Sequence, residues 1–193
     1  WTWAGAGGLL GLLLSALFFA PAAWLVGPIE QASGGHVLLQ EPRGTVWDGS
    51  AQLVLSGGQG SQDRAQVPGL VRWRLHPGWT QWRLAITPEC CSAQAITMVL
   101  TPGIGRLKVT VQDHQSHWPA ALLSALGAPW NTLGLEASLR LQTRQLMLEW
   151  AQGRTHMQGD ISIKALNAAS RLATLRPLGS YETLIRGGST PTL

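Results

Sequence analysis

A long uncharged apolar segment is the first feature of the hydrophobic and polar pattern along the chain. No charged residue occurs from Ala4 to Val26, and the middle of this segment is rich in leucine and phenylalanine. At about 1.5 Å per residue, a helix of this length crosses a hydrocarbon core of about 30 Å. Trp3 and Trp24 lie near its two ends, where indole rings prefer the headgroup zone. The pattern therefore predicts a single-pass transmembrane anchor with its flank over residues 1–28.

A cleavable signal peptide is the alternative for this segment. Ala20-Pro21-Ala22 offers the small residues that signal peptidase accepts. The apolar run continues past that position through Trp24 to Val26, which favours retention. Under either interpretation residues 29–193 are exported, and the lack of Lys or Arg directly after the segment favours an outward orientation of that side.

Beyond the anchor, apolar and polar residues alternate in short runs, which is typical of strands with one covered and one wet face. The runs at 71–75 and 82–86 flank Pro77-Gly78 and predict a hairpin, and those at 96–100 and 107–111 predict a second one. Alternation continues in residues 135–141, 146–150 and 161–163, as one long or broken strand and a further hairpin.

Two segments have helical rather than alternating spacing. Trp118, Leu122 and Leu126 recur along one helical face, and Pro119 suits the first turn, so we expect a short amphipathic helix over 118–126. Residues 165–175 form either a second helix or a loop that leads to the final strand. The fold class is mainly β: a transmembrane helix, then roughly eight to ten strands in a curved antiparallel β-sheet or an open sandwich.

Charge and cysteine content exclude several classes of partner and site. The 14 Lys and Arg outnumber the 10 Asp and Glu, but they are scattered, so no basic run predicts nucleic-acid binding. Cys90 and Cys91 are adjacent, and this spacing is far from the usual bridge geometry, so we expect no conventional disulfide.

The sequence contains no recognised catalytic or cofactor motif. It lacks a G-x-S-x-G elbow, a phosphate-binding glycine loop and an H-E-x-x-H motif, and its acidic residues are spread singly. His114 and His117 follow Asp113 closely, but no further ligand has suitable spacing, so we expect a cap or turn role and no metal. We therefore expect neither an enzyme nor a cofactor.

Three motifs, in order and spacing, resemble the type II secretion system protein N family. They are Gly44-Thr45-Val46-Trp47-Asp48-Gly49, then Trp73-Arg74-Leu75, then Arg176-Pro177-Leu178-Gly179-Ser180-Tyr181. The resemblance implies a non-enzymatic accessory subunit of this protein-secretion machine in the Gram-negative envelope. It further implies a single pass through the bacterial inner membrane, a periplasmic domain over residues 29–193 and other secretion subunits as partners. Compared with the family, we expect this domain to be incomplete at its C-terminus.

The motif residues have structural roles in the predicted sheet. We expect Gly44 to begin a strand, Trp47 to supply a large buried ring, and Gly49 to allow a close approach of another strand or chain. Pro177 and Gly179 are expected to fix a turn that presents Tyr181.

Two modes of action follow from an anchored sheet with few covering helices. In the first, an exposed sheet edge recruits a partner strand or a second copy of the chain while the apolar face is covered. In the second, an apolar groove holds lipid, as in envelope lipid transport.

Overall fold

The structure is a computed structural model that describes residues 2–128, 130–170 and 179–188. Within these ranges, eleven strands form one antiparallel sheet in the order β1-β2-β4-β5-β6-β7-β9-β10-β11, with β3 on β2 and β8 on β9. The strands are β1 (Val37–Gly44), β2 (Asp48–Ser56), β3 (Arg64–Gln66), β4 (Val71–His76), β5 (Trp82–Pro88), β6 (Ile96–Gly103), β7 (Arg106–Val111), β8 (His114–Pro119), β9 (Leu135–Ala151), β10 (Arg154–Ser170) and β11 (Gly179–Gly187). The prediction of a mainly β, antiparallel fold is confirmed, as a single open sheet rather than a sandwich.

The two predicted hairpins are present. In β4–β5 Trp73 pairs with Ile86, and in β6–β7 Leu100 pairs with Val109. Residues 135–151 form one long strand, β9, which pairs with the equally long β10. Residues 165–170 belong to β10, so the helical alternative is wrong for this part, while residues 171–175 lie outside the described ranges.

Five helical segments accompany the sheet within the described residues. They are α1 (Thr2–Phe18), a first 3-10 helix (Ala22–Leu25), α2 (Val26–Ala32), a second 3-10 helix (Ala120–Leu126) and α3 (Trp130–Leu133). The predicted amphipathic helix is thus present but begins at Ala120, because Trp118 and Pro119 pair with β9 at the end of β8. Leu122 and Ala125, three residues apart, are buried on one face, which matches the 3-10 period.

The apolar N-terminal segment is divided between an exposed helix and the folded domain. Helix α1 ends at Phe18 instead of continuing to Val26, so the predicted single helix is wrong in its extent. Every side chain from Trp3 to Phe19 is exposed, whereas Ala20 and Ala22 are buried. Among the described residues, no helix combines the length and apolar character needed to cross a membrane.

In the described part of the chain, three buried apolar clusters lie along the sheet. The first contains Val67, Val71 and Leu122, beneath the second 3-10 helix. The second joins Ala22 of the first 3-10 helix to Ala51 and Trp73. In the third cluster, strand side chains pack on one another: Val109, Val111 and Leu146, with Ile96, Met98, Leu100, Leu148, Met157 and Ile161.

The two cysteines are bridged, although not in the conventional disulfide geometry that the sequence argues against. Cys90 and Cys91 form a vicinal disulfide in the connection between β5 and β6. The Cα atoms of the pair are 3.7 Å apart, the spacing of consecutive residues, and below the usual range for bridged cysteines. Cys91 is buried with Val67 and Val71 in the first apolar cluster, whereas Cys90 is exposed.

Candidate functional site

The turn between β1 and β2 contains the first family motif, and Gly44 ends β1, so the expectation that it begins a strand is wrong. Gly44 pairs with Gly49 across the turn, and the Thr45 amide donates to the Asp48 carbonyl over 2.8 Å. Gly44 has a φ of +83°, and a Cβ atom there would lie 2.6 Å from the Asp48 carbonyl oxygen. The tightness of this turn therefore requires glycine at position 44.

Trp47 connects this turn to the end of the apolar helix. Its indole Nε1 donates a hydrogen bond of 2.9 Å to the carbonyl of Leu17 in the last turn of α1. The Val46 amide donates to the Ala20 carbonyl over 2.9 Å, and Pro21 forms an isolated bridge with Thr45. Trp47 is only half-buried, so the expected full burial of its ring is wrong. The side chain instead links α1 to the sheet through its hydrogen bond to Leu17.

Trp73 is the large buried ring near this motif. It is 8% exposed, packs with Ala22 and Ala51, and donates its Nε1 hydrogen bond to the Val46 carbonyl at 3.1 Å. Gly49 pairs directly with Trp73, and a Cβ atom at Gly49 would lie 2.6 Å from the Trp73 ring. The motif thus brings the helix end, the turn and a central strand into one packed junction.

The third motif leads into the last described strand. Gly179 begins β11 with a φ of +125°, and Tyr181 lies on β11 opposite Ala165 with 61% of its surface exposed. Pro177 and Leu178 lie outside the described residues. The expected turn before Tyr181 therefore stays a prediction.

Strand β11 is one of the two ends of the sheet. It pairs with β10 from Gly159 to Ala168, and no other strand within the described ranges pairs with its outer side. Every side chain from Ser180 to Arg186 is exposed, including Leu184 and Ile185. An edge of this length presents backbone donors and acceptors to which another strand can pair.

The opposite edge, β1, has features that oppose such pairing. Its register shifts between Gln40 and Arg43, where Glu41 has a φ of +47° and Pro42 lacks an amide proton. Glu41 and Arg43 also form an ion pair of 3.5 Å at this bulge. Bulges, proline and charge are the usual means by which edge strands avoid association. Of the two edges, β11 is therefore the better candidate for a partner strand.

Polar contacts fix β11 to β10 on one face. Glu182 accepts hydrogen bonds from Lys164 at 3.1 Å and from Ser162 at 3.0 Å. These bonds, Lys164 first, lower the pKa of the Glu182 carboxyl below its ordinary value. The same face forms a shallow cleft whose lining is mostly polar or charged: Gln142, Arg144, Asp160, Ser162, Lys164, Glu182, Leu184 and Arg186. An acyl chain would find little apolar surface in this cleft.

The histidines considered as metal ligands are separated by the strand geometry. His114 Nε2 lies 2.8 Å from the Ser92 hydroxyl, and His117 Nε2 accepts from Arg140 over 3.2 Å. Positions three apart on β8 face opposite sides of the sheet. In the part of the chain that the structure describes, no group of three potential ligands converges.

The end of the sheet that holds the first motif has exposed residues that the sequence pattern did not single out. The strand registers place four turns at this end, namely those that connect β1 to β2, β4 to β5, β6 to β7 and β9 to β10. Trp79 in the second of these turns and Ile104 in the third are fully exposed. The sequence signal that could have identified them is a large apolar residue in a turn, where it belongs to no alternating run.

Comparison with protein families identifies the chain. The family model described as type II secretion system (T2SS), protein N matches residues 35–190. The chain belongs to this family. The match spans β1 to β11 and so includes the first motif, Trp73 and the exposed edge. Searches of curated proteins and of solved structures found no match.

Membership in the family gives the chain a broad role. Members of this family are components of a protein-secretion system. Membership therefore places the chain in protein transport and associates it with the envelope. It is not a family of known enzymes, and its membership implies contacts with other subunits of the system.

Proposed function

We propose that the chain is a non-enzymatic accessory and assembly subunit of the type II secretion system. Part of residues 1–28 holds it at the inner membrane, residues 29–193 form its periplasmic domain, and β11 (Gly179–Gly187) accepts a strand from a partner subunit. The single observation that supports this most is the exposure of β11 at the end of the sheet, in contrast to the bulged and proline-containing β1. Main-chain pairing supplies affinity in this mode, and the exposed Leu184 and Ile185 supply side-chain contacts.

Proline substitutions on β11 test the proposed edge. Successive amides of a strand alternate between its two neighbours, so of Thr183→Pro and Leu184→Pro one disrupts the β10 ladder and the other only the outer edge. The outer-edge variant is the one that keeps the wild-type unfolding midpoint. We expect it to recover at least about tenfold less of the other secretion subunits from detergent-solubilised membranes, which corresponds to about 1.4 kcal/mol.

Alanine at the same positions is the matched control. Thr183→Ala and Leu184→Ala retain the amide proton, so we expect much smaller losses of partner recovery. Normal recovery by both folded proline variants would show that the edge is not the docking site.

Membrane attachment through the N-terminal segment is the second part of the proposal. At about 1.5 Å per residue, the 17 residues of α1 measure about 26 Å, slightly less than a hydrocarbon core of about 30 Å. Support comes from the composition of α1 and from its exposed leucines, which contact no other part of the described chain extensively. Retention of the segment is supported by Ala22, because cleavage after this residue would remove its side chain from beneath Trp73.

Charges placed in α1 are expected to release the chain. The double variant Leu10→Lys with Leu13→Lys costs about 2.5–3.5 kcal/mol per lysine if both positions lie deep in the bilayer. We expect the wild type to float with membranes after alkaline extraction and the double variant to stay behind. Leu126→Lys, on the exposed side of the second 3-10 helix, is the control and should float. A measured mass of the mature wild-type chain that corresponds to an N-terminus directly after Ala22 would contradict retention of the anchor.

Lipid transport is the alternative function. It is favoured by the half-exposed apolar side chains of Trp82, Leu107 and Trp150 on one face of the sheet. The buried third cluster on this face disfavours it, because Val109, Val111 and Leu146 already fill the space against their neighbours. Loss of bound lipid from the β11 variants with intact partner recovery would reverse the ranking.

A further inference from the structure

One end of the sheet holds the β1–β2, β4–β5, β6–β7 and β9–β10 turns, and we call it the turn end. It has an arrangement that the secretion role does not explain. The C-terminal end of α1 is fixed there, by the hydrogen bond from Trp47 to Leu17 and by the bridge between Pro21 and Thr45. All α1 side chains from Trp3 onward are exposed, so the helix does not fold back along the sheet. Wherever α1 meets a bilayer, the turns beside its end are the nearest part of the domain.

The neighbouring turns expose large apolar side chains. Strand β4 pairs with β2, so the β4–β5 turn with Trp79 adjoins the turn that holds the helix end. The β6–β7 turn with Ile104 comes next, since β5 pairs with β6. With about 4.8 Å between strands, successive turns are about 10 Å apart. Two fully exposed side chains thus lie on the side from which the helix leaves.

Apolar surface continues from these turns onto one face of the sheet. Trp82, Leu107 and Trp150 share this face through the pairs Trp82 with Leu100, Leu100 with Val109 and Leu107 with Trp150. Each of the three is between 36% and 41% exposed. Tryptophan is enriched where protein meets the headgroup layer, because its ring is apolar and its N–H is polar.

The charges at this end complement an anionic surface. Arg83, Arg106 and Lys108 lie on the other face of the same strand ends, and Arg154 follows the β9–β10 turn. None of the four forms an ion pair with another described residue. Of the acids nearby, Glu149 lies opposite Lys108, while Glu41 and Asp48 are paired with Arg43 and Arg74. The unpaired charge at the turns is therefore mainly positive.

We propose that this turn end docks on the anionic bilayer that holds α1, with Trp79 and Ile104 inserted at the headgroup level and the basic residues against lipid phosphates. The inference rests on the proposed attachment of α1 to the inner membrane. Docking fixes the orientation of the sheet relative to the membrane, with the turn end against the surface. The edge strand β11 ends short of the turns, at the level of Gly159 in β10.

A fluorescent probe at the turn end tests the docking in the full chain. Thr80→Cys, next to Trp79, is labelled with an environment-sensitive dye, and Gln94→Cys, exposed at the opposite end, is the matched control. The wild-type chain, which has no added cysteine, is treated with the same dye as a control for labelling of Cys90 and Cys91. Vesicles contain equal parts of phosphatidylglycerol and phosphatidylcholine, with or without lipids whose headgroup-level spin labels quench the dye.

We expect a blue-shifted and quenched dye at position 80 and an aqueous, unquenched dye at position 94. Trp79→Ser with Ile104→Ser should abolish quenching at position 80 while the chain still floats with the vesicles. Arg83→Gln with Arg106→Gln, or vesicles of phosphatidylcholine alone, should reduce the quenched fraction severalfold.

The outcomes separate this inference from the proposed function. A chain that fails to float contradicts the membrane attachment itself. A chain that floats with an aqueous dye at position 80 overturns only the docking, and would be the result if a partner protein rather than lipid covers the turns. Equal quenching at positions 80 and 94 would also overturn it, because the turn end would have no preferred contact.

Discussion

Trp73→Ala is expected to lower the free energy of unfolding by about 3–5 kcal/mol, the usual cost of emptying a large buried aromatic site. The ring joins Ala22 to Ala51 in the second apolar cluster, and its Nε1 is bonded to the Val46 carbonyl. The variant therefore loses the apolar packing and leaves a carbonyl without its donor. Denaturant unfolding followed by circular dichroism measures the change.

Trp79→Ala is the matched control for this experiment. Trp79 is fully exposed in the β4–β5 turn, so its loss should change the unfolding free energy by no more than about 0.5 kcal/mol. If Trp73→Ala were as small in effect as this control, the junction between the N-terminal segment and the sheet would not be part of the core.

Gly49→Ala is expected to destabilise the fold by about 1–3 kcal/mol although it adds only one methyl group. A Cβ atom there would lie 2.6 Å from the Trp73 ring and 2.7 Å from the carbonyl oxygens of Arg43 and Thr45. None of these three groups is the flexible end of a side chain, so relief requires movement of the backbone or of a packed ring.

Gly27→Ala provides the comparison for Gly49. Gly27 lies in α2, and apart from its chain neighbours and the backbone of its own helix no described atom lies within 4 Å of the position that its Cβ would occupy. Alanine is the better helix former, so this change should be neutral or stabilise by up to about 1 kcal/mol. Equal midpoints for the two variants, measured by thermal unfolding, would contradict the close packing of the first motif.

The β4–β5 and β6–β7 hairpins could be predicted from the sequence. The long β9–β10 hairpin could be predicted only in part. Apolar and β-branched runs bounded by turn residues identify β4, β5, β6 and β7, and β4 also alternates between buried and more exposed residues. Residues 154–160 show no such alternation, since most of them are exposed. Pairing with the apolar end of β9, rather than any local pattern, makes them strand.

The division of the apolar segment could not be predicted from composition. Small and apolar residues such as Ala20 and Ala22 suit a bilayer and a protein core equally well. The decision depends on distant residues, because the Val46 amide donates to the Ala20 carbonyl and Trp73 packs against Ala22. For the same reason the sequence alone did not distinguish the half-buried Trp47 from the buried Trp73.

The candidate edge depends on the order of strands, which no local pattern contains. Pro42 is visible in the sequence as a residue that restricts pairing, yet only the register shows that it lies in an edge strand. Tyr181 was selected through the family motif, and its position on the opposite edge follows from the pairing of β11 with β10.

Amide hydrogen exchange of β11 is the most direct test of the proposed assembly role. It compares the full chain in detergent with the chain in the purified secretion machinery. The account predicts that alternate amides between Ser180 and Arg186, which exchange rapidly in the free protein, become protected in the assembly. Unchanged exchange at β11, in machinery that still contains the chain, would contradict the proposal that partners join the sheet at this edge.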